Sequence, residues 1–180
     1  MDDIALQLAM SKKTLYKWFE NKDEIVQEVI KTHLESIEDG CENLSRCAAN
    51  AVDELIKIKE MNKKLFAELP SSIFFDLQKY HPAAWQIFNH HKTTFILAKV
   101  KDNLRRGIAE GYFREDLDVE VIGRLRLAQI ELVFNPDIFP PDHFNVGEVQ
   151  IACLEQYLLG IATLKGHKLI NKYKQVAEEK

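Results

Sequence analysis

The sequence predicts an all-α fold, with a head of short helices in front of a longer helical bundle. Three observations lead there. With only 7 Gly and 5 Pro in 180 residues, the chain lacks the punctuation a many-stranded sandwich or barrel needs. Apolar residues recur at three- and four-residue spacings along most of it. No strand-like alternation is long enough to count, and no internal repeat appears. Hydrophobic residues at 46% and charged residues at 29% are enough for a real core.

The elements follow in order. Met1 to Ala9 reads as a short helix with Ile4, Ala5 and Leu8 on one side. Ser11 caps a second, Lys12 to Phe19, whose inward residues are Leu15 and Phe19. Asn21 caps a third, with Asp23 and Glu24 favoured in its first turn by the helix dipole. It runs through Ile25, Val29, Ile30 and Leu34. Beyond Gly40 a further helix is expected from Leu44 to Leu69, ending at Pro70. Ser71 and Ser72 open another to Tyr80, and a long helix follows from Pro82 to Gly111. Gly111 reads as a C-terminal stop and Asp118 as the next cap. Two more helices are expected, Val119 to Phe134 and Val146 to Lys174. The loop Asn135 to Asn145 between them holds Pro136, Pro140 and Pro141.

Composition excludes several classes. No run of 18 apolar residues and no secretory leader is evident, so a cytoplasmic protein away from membranes is expected. Cys41, Cys47 and Cys153 are odd in number and lack metal or redox spacing. His90 and His91 are adjacent and face different sides of a helix, so no metal and no cofactor are expected. No serine-histidine-acid order or phosphate-cradling glycine loop points to an enzyme. The net charge of −4 means that any nucleic-acid contact must come from a local patch.

One such patch exists. Helix, tight turn, short helix is the plan of a helix-turn-helix, whose second helix packs by one face and offers polar groups from the other. Lys12, Lys13, Thr14, Tyr16 and Lys17 form that polar face; taken alone, lysines on a helix are more often a solvated surface. The run from Asp2 to Ile25 goes further: an Ile-Ala pair (Ile4-Ala5), a turn ending in Ser11, Leu15-Tyr16, Trp18-Phe19, then Lys22 before the acids Asp23 and Glu24. It closely resembles the DNA-binding head of TetR-family repressors over about the first 35 residues. Gly111 to Asp118 resembles the link that the family places before its dimerising helices.

The resemblance implies a head over residues 1–35 and a ligand-binding and dimerisation body over 36–180. It implies DNA contact by Ser11, Lys12, Lys13, Thr14, Tyr16, Lys17 and Lys22. Family members carry a further helix ahead of the position matching Met1, so an upstream basic helix is expected; residues 1–35 by themselves hold five lysines against seven acids. The expected partners are operator DNA, a second copy of the chain and a small, partly apolar effector.

Seven of the 17 aromatics fall between residues 66 and 95: Phe66, Phe74, Phe75, Tyr80, Trp85, Phe88 and Phe95. An ordinary core would explain any one of them; as a group, together with the resemblance, they suggest a ligand pocket. The last two helices are apolar on more than one side, which suggests a two-fold interface built on Ile122, Leu125, Val133, Cys153, Leu154, Leu158 and Ile161. The reading is thus a ligand-controlled, DNA-binding regulator, expected to repress. The alternatives are a helical protein-interaction module and, behind it, a small helical enzyme.

Overall fold

The computed structural model describes residues 1–67 and 72–178, which form ten α-helices and one π-helical turn. The head holds α1 (Asp2–Gln7), α2 (Lys12–Leu15) and the beginning of α3 (Lys22–Cys47). The body continues with α4 (Ala51–Ala67), α5 (Ile73–Tyr80), α6 (Pro82–His91), α7 (Leu97–Ala109), α8 (Val119–Leu132), α9 (Val146–Ile161) and α10 (Leu164–Glu178). The division expected at residue 35 falls inside α3, a single helix of 26 residues that crosses from head to body. The expected helix end at Leu69–Pro70 and the Ser71 cap lie outside the described residues.

Local chemistry starts most helices where the sequence places them. The Ser11 hydroxyl accepts from the Thr14 amide at 3.1 Å, and Asn21 Oδ1 accepts from the Glu24 amide at 2.9 Å. Asp118 Oδ1 accepts from the amides of Glu120 and Val121. Each satisfies donors that the first helical turn leaves free. Pro82 begins α6, where a missing N–H costs nothing. Gly111 takes φ +72°, a left-handed conformation that a side chain would oppose.

Two expected boundaries move in the body. α3 runs through Gly40 to Cys47, and the break comes at residues 48–50 instead. There Asn50 Oδ1 accepts from the Asp53 amide at 2.9 Å, while Asp53 Oδ2 accepts from the Ala49 amide at 2.8 Å. This reciprocal cap outweighs the roughly 1 kcal/mol that a mid-helix glycine costs. The long helix expected from Val146 to Lys174 is broken at Ala162–Thr163. The link after α7 lies across that point: the Arg114 amide donates to the Ile161 carbonyl and the Thr163 amide to the Tyr112 carbonyl, both at 2.9 Å. A continuous helix would need those groups for itself. Gly166 lets the link pass, since a Cβ there would sit 2.2 Å from the Tyr112 oxygen.

The main core lies between α4, α7, α9, α10 and this link, with Val52, Leu104, Phe113, Leu154, Leu158, Ile161 and Ile170 buried. That corrects the expected partner surface. Leu154, Leu158 and Ile161 belong to the protomer's own core, because α9 turns this face onto α4, and Val133 is also buried. Ile122 and Cys153 are half-buried. Leu125 remains open at 54% exposure, in a stripe with Val121, Ala128 and Leu132 along α8; Leu159 is exposed on α9.

A polar clasp fixes the corner between α3 and α4 to α7. Arg106 donates to Glu110, to the Ala48 carbonyl and to the Ser45 carbonyl. Asn103 donates to the Ala51 carbonyl and to Glu54. The Glu110 carboxylate also accepts from the Ala51 amide at 2.8 Å. The helix that leaves the head is thereby anchored at its far end.

Candidate nucleic-acid interface and ligand cavity

In the head, Ala5 of α1 and Leu15 of α2 are buried against each other's helices, while Ile4 and Phe19 are half-buried. Leu8, expected inside, is exposed, because α1 ends at Gln7 and the chain turns through Ala9 at φ +51°. α2 is shorter than expected, although the turn continues through amide bonds from Lys17 to Thr14 and from Phe19 to Leu15.

With Leu15 held inward, Ser11, Lys12, Lys13, Tyr16 and Lys17 are exposed and Thr14 is half-exposed. Lys22 is exposed in the first turn of α3. The free N–H groups of that turn add positive potential beside it. Lys12 is held by Asp2 at 3.0 Å, and both groups are exposed, so the pair is weak and opens at little cost. Trp18, given no surface role in the sequence reading, is 76% exposed beside Lys17. The signal for it was a large aromatic at an outward helical position.

The body forms a cavity of about 300 Å³, open on one side, between α3, α4, α5, α6, α7, α8 and α9. Four of the seven expected aromatics, Phe66, Phe74, Phe88 and Phe95, border it. They are joined by Phe134, whose ring stacks on Phe74 at 3.8 Å. The other three do not border it. Phe75 and Tyr80 are exposed, with the Lys79 ammonium over both rings, and Trp85 stacks on Phe88. On a short helix such as α5 only one face meets the cavity, and a cluster read by composition cannot distinguish faces.

Sequence reasoning missed the polar groups in the wall: His91, Asn103, Arg126 and Tyr157. Each leaves a buried side-chain atom without a hydrogen-bond partner among the described residues. The signal available for Arg126 was a cation interrupting the apolar stripe of α8. His91 Nδ1 donates to the Glu38 carboxylate at 2.9 Å, and burial holds its imidazole below the ordinary value.

α3 connects the two sites. It begins at Lys22 in the head, and its Val29, Ile30, Leu34 and Ile37 form one wall of the cavity.

No family model matches the chain. It is 22% identical to YvaF, an HTH-type transcriptional regulator of Bacillus subtilis (strain 168), covering 89% of this chain and 84% of that protein. Among solved structures it is similar to PfmR, a TetR-family transcriptional regulator of Thermus thermophilus, with 25% identity, a TM-score of 0.62, and 87% and 85% of the two chains covered. It is also similar to FadR of Bacillus subtilis in complex with stearoyl-CoA, with 21% identity, a TM-score of 0.67, and 89% and 87% covered. A third likeness is to KstR2 of Mycobacterium tuberculosis, a ketosteroid transcriptional regulator, with 21% identity, a TM-score of 0.60, and 89% and 83% covered. These similar proteins are transcriptional regulators rather than enzymes. No helix among the described residues is long and apolar enough to cross a membrane.

Proposed function

We propose that this chain, a TetR-type DNA-binding transcriptional regulator, is a homodimeric repressor whose hold on its operator is released by a small apolar effector in the body cavity. The observation that carries this is the double placement of α3. The same helix presents Lys22 beside α2 and lines the cavity through Val29 to Ile37. A ligand that fits one position of α3 better than another therefore moves the head, by as much as its affinity for the two positions differs.

On DNA, Lys13 and Lys17 of α2 reach the major groove, with Ser11, Thr14 and Tyr16 bonding nearby phosphates or base edges. Lys12 joins them once Asp2 lets go, and Lys22 holds a phosphate at the start of α3. Trp18 adds an exposed ring to the same surface. The exposed stripe of Val121, Leu125 and Leu132 is where a second copy docks, setting two heads at a fixed spacing. FadR, similar in fold, is in complex with stearoyl-CoA. That supports an effector with an apolar tail for this chain.

The test begins with selection of an operator from a random duplex library by the full-length protein. Fluorescence anisotropy then follows binding as apolar compounds are added. Salt-dependent binding that the compounds weaken is expected. Binding that no apolar compound changes would overturn the ligand-controlled reading, and an absence of any sequence preference would favour the interaction-module alternative.

A further inference from the structure

Arg126 is only 4% exposed, yet its buried Nη1 has no hydrogen-bond partner and no carboxylate lies within ion-pair distance of its side chain among the described residues. Tyr157 packs against it, its ring 5.3 Å from the guanidinium carbon, and the buried Tyr157 hydroxyl is also without a partner among the described residues. Both side chains border the cavity. A buried cation without an anion costs several kcal/mol, and proteins seldom carry one unless something neutralises it. Two other polar groups of the wall already have partners. The Gln150 amide donates to the Ile130 carbonyl, and Lys99, the other cation on the wall, faces Glu42 at 3.8 Å.

Resting on the ligand-controlled reading above, we infer that the effector is an apolar monocarboxylate of about ten carbons, its carboxylate on Arg126 and Tyr157 and its chain directed toward Phe74 and Phe134. Three features select that chemistry. Around Arg126 the wall offers one guanidinium and one neutral hydroxyl donor, so a single negative charge balances it there, whereas a dianionic phosphate would bring a second, unbalanced charge into a largely apolar pocket. A planar carboxylate can also take two parallel bonds from a guanidinium.

Size is the third. Arg126 and the end of α8 at Leu132 stand six residues apart, about 9 Å at 1.5 Å per helical residue, and Phe134 lies two residues beyond. At about 30 Å³ for a water-sized group, the 300 Å³ cavity corresponds to roughly ten such groups. Burial pushes the Tyr157 hydroxyl well above its ordinary value, so it stays protonated and donates to the carboxylate.

The experiment is calorimetric titration of the full-length protein with decanoate, decanol and decanoyl-CoA, alongside melting curves for the parent, Arg126→Met and Tyr157→Phe. Decanoate should bind about 10- to 100-fold more tightly than decanol, the worth of one or two charge-assisted bonds. Arg126→Met should bring decanoate down to the decanol level, and Tyr157→Phe should weaken decanoate by about tenfold or less while sparing decanol. Without ligand, Arg126→Met should melt at or above the parent temperature, because its loss relieves an unbalanced charge; an arginine with a structural role would do the opposite.

Equal affinity for decanoate and decanol, undiminished decanoate affinity in Arg126→Met, or binding by decanoyl-CoA alone would each overturn the carboxylate seat and leave the apolar cavity reading intact. If none of the three compounds binds the parent, both readings fall. Should Arg126→Met not fold, the comparison of heads in the parent and the Tyr157→Phe result decide.

Discussion

His81 Nδ1 and Asp23 Oδ1 meet at 2.6 Å, which ties the first turn of α3 to the residue that caps α6. Asp23 is next to Lys22 in the head, and His81 belongs to the body. The pair therefore spans the two functional regions at the end of α3 nearest the proposed DNA surface. The opposite end of α3 is anchored by Arg106 through the Ser45 carbonyl.

Breaking this pair should loosen the coupling between ligand and DNA. In His81→Ala or Asp23→Asn, decanoate affinity should stay at the parent value while the ligand's effect on operator affinity shrinks by up to about fivefold, the worth of a partly exposed pair. Anisotropy titrations with and without ligand measure this. An unchanged ratio in both variants would mean that α3 transmits without the Asp23–His81 link.

The head residues should fail in different ways. Lys22→Ala should weaken operator and random DNA alike and flatten the salt dependence by roughly one unit. Lys13→Ala should also blur sequence preference, by about 1–3 kcal/mol. Tyr16→Phe isolates one hydrogen bond and should cost about 1 kcal/mol. Salt titrations of both DNAs separate the three, and parent-like binding by all of them would remove α2 as the reading helix.

Dimerisation should depend on the open stripe of α8 and not on the buried face of α9. Leu125→Glu should leave the helical content intact and give a sedimenting species of one chain's mass, where the parent gives twice that mass. Leu158→Glu should instead unfold the protein, since it places a charge in the core. A Leu125→Glu protein that stays dimeric would move the interface elsewhere.

Packing at the end of α7 leaves no room for a methyl group. A Cβ on Gly107 would lie 2.0 Å from the Phe113 ring, and Phe113 is fully buried and cannot swing away. Gly107→Ala should lower the melting temperature by roughly 4–8 °C, the consequence of about 2 kcal/mol of overpacking. An unchanged melting curve would show that the link after α7 can shift freely.

Acid should destabilise the fold through His91. Burial holds its imidazole below the ordinary value, against the opposing pull of Glu38, while His90 adds to the depression. As pH falls from about 6.5, the unfolded chain takes up the proton first, so the stability present above that pH is lost below it. The melting temperature should fall more between about pH 7.5 and pH 5.5 in the parent than in His91→Gln. Equal falls would assign the acid sensitivity to other groups.

Several features were legible in the residues alone because their causes act within one turn. Ser11, Asn21 and Asp118 cap helices by reaching amides two or three residues away, and Gly111 stops α7 through its own φ. The Ile4 to Glu24 pattern likewise carries the head, since α1 and α2 pack through a few fixed positions such as Ala5 and Leu15. Other features depended on which neighbour lies opposite. Helical spacing says which residues share a face but not which way that face points. On helices apolar all round, Leu158 turned inward to α4 and Leu125 outward for reasons no local signal records. The break at Ala162 needed the Tyr112 and Arg114 backbone, distant in sequence, to compete for its hydrogen bonds. Arg126 reads as an ordinary surface cation on α8 until α9 brings Tyr157 against it and the packed helices shut out water. Only that enclosure turns a common residue into an unpaired buried charge.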